Sequence, residues 1–153
     1  MPKAETENDL KNEAEIVGYI IAKYPKQYDG FMKIDHLGYR LDGVLTKRHE
    51  YGYAVPKLFY EAKDRVGRFA GYPDYIISHS KVEAAQAMTE ATQMRCCLFV
   101  RFADGVIASV DFARFDGRCR FGGRQDRPFF IHDSEPLAIF DWKDFVILRE
   151  AAP

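Results

Sequence analysis

The sequence predicts an α/β domain, a central sheet flanked by helices. Three observations lead there. Over residues 7–24, Leu10, Ala14, Val17, Ile21 and Tyr24 recur at helical spacing, and Pro25 stops the pattern. Strand-like runs follow at 31–34, 39–45 and about 57–63. A second helical stretch, from Lys81 to about Met94, leads into Cys96–Phe102, a near-continuous apolar run typical of a strand covered on both faces. The order is helix, three strands, helix, strand, an arrangement in which helices pack on a sheet.

With 153 residues, 47% hydrophobic and 14% aromatic, the chain can bury a core as one domain. That core is expected over about 7–112, with a β-rich extension over about 113–153. A net charge of −1 gives no bulk basicity, which counts mildly against a passive coat on nucleic acid. The first residues are polar, and no apolar run approaches the ~20 residues of a spanning helix. No membrane partner is expected. Three cysteines, with Cys96 and Cys97 adjacent, make neither a disulfide framework nor a Cys-x-x-Cys metal pattern. They indicate a reducing, cytoplasmic setting, with Cys96 and Cys97 as core packing.

Taken in order, the first helix carries Glu13 on the edge of its apolar stripe and Glu15 pointing away. Tyr28-Asp29-Gly30 and His36-Leu37-Gly38 are turn signals around the short strand Phe31–Ile34. Thr46–Gly52 is polar and reads as the connection between two antiparallel strands, of which the second starts late, after Pro56, or lies at an edge there. Ser80 followed by Glu83 matches a capping box for the second helix. Its apolar stripe is Ala84, Ala85, Met88 and Ala91, and Gln86, Glu90 and Gln93 form a solvated face. Asp104-Gly105 is a hairpin turn before the strand 106–112. Near the C-terminal end, Leu137–Phe140 is a strand and Asp141 caps a short helix through Phe145.

The chemistry concentrates in Leu58-Phe59-Tyr60-Glu61-Ala62-Lys63. Alternation puts Phe59, Glu61 and Lys63 on one face, and Leu58, Tyr60 and Ala62 on the other. A carboxylate and an amine thus stand side by side on a rigid strand. The carboxylate suits a hard cation such as Mg²⁺, and the ammonium can orient a water or steady charge on a phosphate. Pairing with the strand of Tyr39–Leu45 would bring Asp42 beside Glu61.

An Asp followed by Glu-x-Lys on the next strand, within this element order, resembles the PD-(D/E)xK nuclease superfamily over roughly residues 10–102. The resemblance narrows when Glu61-Ala62-Lys63, Tyr72-Pro73-Asp74-Tyr75, Gly122–Arg127 and Ser134-Glu135-Pro136 are taken together, to small phage-encoded nuclease-like and junction-resolvase-like proteins. It implies a restriction-endonuclease-like core with a central mixed sheet and a C-terminal β-hairpin extension. It further implies Mg²⁺ (or Mn²⁺) held by Asp42, Glu61 and the carbonyl of Ala62, with Glu13 completing the shell, and Lys63 positioning the attacking water. The expected partner is DNA, and a homodimer is compatible with it. The setting is the host cytoplasm if the chain is phage-encoded.

Two further regions suit nucleic acid. Arg65, Arg68 and Tyr72 follow Lys63 directly. Arg118, Arg120, Arg124 and Arg127 are interleaved with Phe115, Phe121, Phe129 and Phe130. Guanidinium groups suit phosphates and aromatic rings stack on bases. A solvated loop and a plain hairpin surface are the competing readings. Against the enzyme stand a non-catalytic DNA- or protein-binding module on the same fold, and a structural or inhibitory protein in which Asp42 and Glu61 lie apart. Four scattered histidines give no zinc-hydrolase pair, and no phosphate-binding glycine loop is present.

Overall fold

The computed structural model describes residues 6–34, 41–122 and 135–153. Helix α1 spans Glu7–Lys23. Its start is fixed by Thr6, whose hydroxyl accepts from the Asp9 amide at 3.1 Å while Asp9 accepts from the Thr6 amide at 3.0 Å. Two otherwise orphaned donors are satisfied reciprocally. The strands are β1 (Gly30–Lys33), β2 (Gly43–Arg48), β3 (Ala54–Asp64), β4 (Tyr75–Ser78), β5 (Cys96–Arg101), β6 (Ile107–Asp111), β7 (Cys119–Gly122), β8 (Glu135–Phe140) and β9 (Val146–Arg149), with helix α2 over His79–Thr92 between β4 and β5.

The main sheet has six strands in the order β1-β2-β3-β5-β6-β9, and a second sheet runs β4-β8-β7. β3 and β5 pair in parallel, from Phe59 opposite Cys96 to Asp64 opposite Arg101, and the other neighbours of the main sheet are antiparallel. The sheet is therefore mixed, as expected, and β3 with β5 is where two neighbouring strands run the same way. One apolar cluster joins α1 to Leu45, Leu58, Tyr60, Cys97 and Phe99 on one face. Another joins α2 and the second sheet to Leu98, Val100, Phe102 and Phe112 on the opposite face. β5, covered on both sides, is buried from Cys96 to Val100, in line with its unbroken apolar run. Arg101 fastens α1 to the sheet by bonds to Asp64 (2.8 Å), Glu15 (2.7 Å) and Asn12 (3.1 Å).

Several details differ from the sequence reading. The buried face of α1 is Glu13, Ile16, Val17 and Ile20, while Leu10 and Ala14 are exposed. Burying Ile16 and Ile20 removes more apolar surface from water than burying Ala14 would. This rotation carries Glu13 from the edge of the stripe into its centre. β2 begins at Gly43, so Asp42 stands at its threshold, and Tyr39 and Arg40 lie outside the described residues. Thr46, Lys47 and Arg48 are strand rather than connection, because their backbone pairs with Ala54–Pro56. Pro56 is accommodated where the register slips between Leu45 and Thr46, before β5 joins β3 at Phe59.

α2 begins two residues earlier than Ser80–Glu83 suggested. Ser78 is its N-cap without a side-chain cap bond, the Ser78 and Ser80 hydroxyls bond each other at 2.8 Å, and Glu83 turns to His79 at 3.0 Å. Ala91 is exposed, and Val82, which the expected stripe did not include, is in the core instead. Gln86, Glu90 and Gln93 are solvated as anticipated. β7 and β8 pair antiparallel, but β8 also pairs with β4, so they complete a sheet instead of standing apart as a hairpin. Asp141 caps a single 3-10 turn, Trp142–Asp144, and a strand the sequence reading lacked, β9, then joins the edge of the main sheet.

Candidate active site

β3 keeps the predicted alternation. Tyr60 and Ala62 pack toward α1, and Phe59 packs toward α2 and the second sheet. Glu61 lies on the Phe59 face and is 0% exposed. Lys63 Nζ stands 3.0 Å from Glu61 Oε1. A second ammonium, Lys81 Nζ from the first turn of α2, reaches the same oxygen, also at 3.0 Å. Both ammonium groups thus converge on Oε1, and among the described residues Oε2 has no hydrogen-bond partner. A wholly buried carboxylate left in this state is costly.

Asp42 is lashed to the same place by three bonds. Its amide donates to the Tyr60 carbonyl (3.0 Å), its carbonyl accepts from the Ile34 amide (2.9 Å), and Oδ2 accepts from the Ala62 amide (2.8 Å). Its carboxylate is thereby fixed against the backbone that follows Glu61. Glu13 approaches from α1. Its Oε1 accepts from the Tyr60 hydroxyl at 2.9 Å, and Oε2 pairs with Lys33 of β1.

The titration of these groups follows from their surroundings. Burial raises the Glu61 pKa; Asp42 adds repulsion, while Lys63 and Lys81 pull the other way without cancelling the rise. Glu13 is likewise raised, by burial first, with the Lys33 bond opposing and the Asp42 charge adding. For Lys63, burial works to lower the pKa, but the Glu61 carboxylate outweighs it and the net shift is upward. Asp42 is thus the acid felt by both buried glutamates.

The structure brings Asp42, Glu61, Ala62 and Lys63 together and places Glu13 within electrostatic reach. Arg65, Arg68 and Tyr72, from the loop after β3, and Arg120 of β7 line one cleft beyond Lys63. Arg118 lies outside that cleft and is turned onto Asp116 at 2.9 Å. Arg124 and Arg127 lie outside the described residues. The sequence reading missed Lys81, Lys33 and Tyr60. A signal for Lys81 existed: it shares helical phase with Ala84, Ala85 and Met88, the residues that face the sheet.

Among the described residues, no three Asp, Glu, His or Cys side chains stand close enough to hold an ion by themselves. Mg²⁺ does not require such a cage; it is commonly held by one or two carboxylates together with water and substrate phosphates. Two carboxylates, one of them buried with an oxygen that lacks a hydrogen-bond partner, therefore fit a hard divalent cation.

A family model described as "Phage putative PDDEXK endonuclease" matches residues 1–148. The chain belongs to that family. Among solved structures it is similar to Hjc, a Holliday junction resolvase from Archaeoglobus fulgidus, with a TM-score of 0.50 at 8% identity, covering 89% of this chain and 91% of that one. At that identity the likeness speaks for the fold, which is that of a restriction-endonuclease-like resolvase. A search of the curated proteins finds no match. No described helix is long and apolar enough to cross a membrane.

Proposed function

We propose that this protein hydrolyses phosphodiester bonds in DNA with the help of Mg²⁺ or Mn²⁺. The observation that carries the reading is Glu61: a fully buried carboxylate set beside Asp42, with one oxygen contacted by two ammonium groups. Packing alone has no use for such a cluster, whose empty form is costly. Asp42 and Glu61 would hold the cation, with the Ala62 carbonyl beside them and Glu13 steering from the α1 side. When bound, such an ion polarises the phosphoryl oxygen and lowers the pKa of its water.

The remaining work falls to the chain. Lys63 orients the attacking water and steadies charge as it develops on the phosphate. Lys81 shares Glu61 Oε1 with Lys63 and so holds the carboxylate in place from the α2 side. Arg65 and Arg68, just past Lys63, guide the DNA backbone. A homodimer and a host-cytoplasmic setting are consistent with the family. A second reading, a non-catalytic DNA-binding module, is favoured by the ammonium groups that already occupy Glu61 and by the absence, among the described residues, of a three-ligand group.

The test is incubation with linear, circular, single-stranded and branched DNA, with Mg²⁺, with Mn²⁺ and with chelator. Metal-dependent cleavage that disappears in Asp42→Asn supports the enzyme. Binding without cleavage on every substrate and either metal gives the protein to the second reading.

A further inference from the structure

Beyond the acids lies a cleft of about 410 Å³ that neither Asp42 nor Glu61 lines. Its walls come from the loop after β3, the stretch entering β4, and three later residues, Phe102, Arg120 of β7 and Trp142. The floor is aromatic: Trp142 meets Tyr75 and Phe102 at centroid separations of 5.9 and 5.7 Å. The rim carries Tyr72, 70% exposed, whose ring lies so close to Gly67 that a Cβ there would meet it at 3.3 Å. The indole N–H of Trp142 donates to the Tyr72 carbonyl at 2.6 Å, tying rim to floor.

The charge at this cleft is positive. Three arginines face one acid, Asp74, which pairs with Arg120. Arg65 donates to the Tyr75 hydroxyl at 3.0 Å and stands over that ring at 5.3 Å. The Arg68 side chain is exposed and, among the described residues, has no acidic partner. The cleft adjoins the acid cluster, because Arg65 leaves β3 two residues after Lys63. Tyr75 links them too: its pKa is raised by burial first, and it also feels Lys63 and Glu61.

We propose that this cleft receives one unpaired nucleobase of a DNA strand, with Arg68 on the adjoining phosphate, so that the substrate class is DNA carrying an unpaired nucleotide beside the cut. The statement about the cut rests on the nuclease reading; the occupant of the cleft does not. A duplex backbone needs only a basic surface, not an apolar concavity. A paired base is stacked on both faces and must be pulled out at a cost, whereas an unpaired base enters without that cost and stacks on aromatic walls. The planar guanidinium groups supply the phosphate contacts.

Trp142 is the chain's sole tryptophan and reports on the cleft directly. With metal chelated, its emission and the affinity are measured against a short duplex, the same duplex with one bulged nucleotide, and the single strand. The bulged duplex and the single strand are expected to change Trp142 emission and to bind about tenfold more tightly than the perfect duplex. Tyr72→Ala should erase that preference, and Arg68→Ala should weaken all three and reduce the salt slope by about 0.9 on duplex. Equal affinities with unmoved emission, or a preference that survives Tyr72→Ala, overturns the proposal. If cleavage occurs in Mg²⁺ without that preference, the cleft reading fails and the nuclease stands. If the preference appears without cleavage under any metal, the nuclease reading fails and the cleft keeps its occupant.

Discussion

Glu61 is held where its own charge is disfavoured, chiefly by burial. In the unfolded chain its carboxyl ionises in the ordinary range. Above that range the folded protein binds the extra proton, so stability falls as pH rises until the raised folded pKa is passed. Glu61→Gln cannot ionise. Its metal-free melting temperature should exceed the parent's by about 2–4 °C for each kcal/mol recovered, with a gap that widens as pH climbs out of the carboxylate range. A gap that narrows instead would mean the lysines dominate the environment. Asp42→Asn keeps an oxygen to accept from the Ala62 amide. It should fold like the parent, fail to cleave, and lose the stabilisation that millimolar Mg²⁺ gives through binding to the native state. Lys63→Met should retain that stabilisation while turnover falls. Melting curves with and without Mg²⁺, beside a cleavage assay, separate these cases. Asp42, Glu61 and Lys63 were legible because a strand's period of two dictates which side chains share a face. Lys81 was not, because its Ser-x-x-Glu neighbours read as a cap and drew attention from the helical phase it shares with Ala84 and Ala85.

At the level of elements, the approach of β1, β2 and β3 depends on Gly43. A Cβ there would fall 2.5 Å from the Met32 carbonyl and 2.6 Å from the Tyr60 hydroxyl. Gly43→Ala must push β1 away or dislodge Tyr60 from Glu13, and overpacking of this kind costs about 1–3 kcal/mol. Urea unfolding should show that loss, and a variant as stable as the parent would mean the strands can part freely. Close approach of this kind leaves no trace in the sequence beyond the glycine. The strand reading failed for similar reasons at Thr46–Arg48, where backbone pairing with Ala54–Pro56 overrides polar side chains. It failed again at Val146–Arg149, where three apolar residues after a tight turn are too few to show a period. At Pro56 the late start did not hold, because β3 begins at Ala54, but the edge reading did: β3 is paired there with β2, and β5 joins only from Phe59.

For the molecule as a whole, the order helix, three strands, helix, strand was legible because each segment carries its own period. The second sheet was not, because β4 pairs with β8, and nothing local in Tyr75–Ser78 names a partner so distant in sequence. The three thiols test the whole-molecule packing at once. Cys96 and Cys97 are buried on opposite faces of the main sheet, Cys119 is exposed, and burial pushes the Cys97 thiol up to about 12. Native protein should label rapidly at one thiol of three, and at all three only after unfolding. Rapid labelling of a second thiol in the native state would contradict the packing of β5.

The late partner of β4 bears on how the chain is born. Tyr75 pairs opposite Phe140 and Ser78 opposite Leu137. At a synthesis rate of about 5–20 residues per second, β4 waits on the order of several seconds for its neighbour. Through that interval the nascent chain already carries Asp42, Glu61 and Lys63, but Trp142 has not emerged and the cleft lacks that part of its floor. An open strand edge bearing Ile76 and Ile77 is then the surface most exposed to wrong pairing, and a chaperone that met this chain would meet it there.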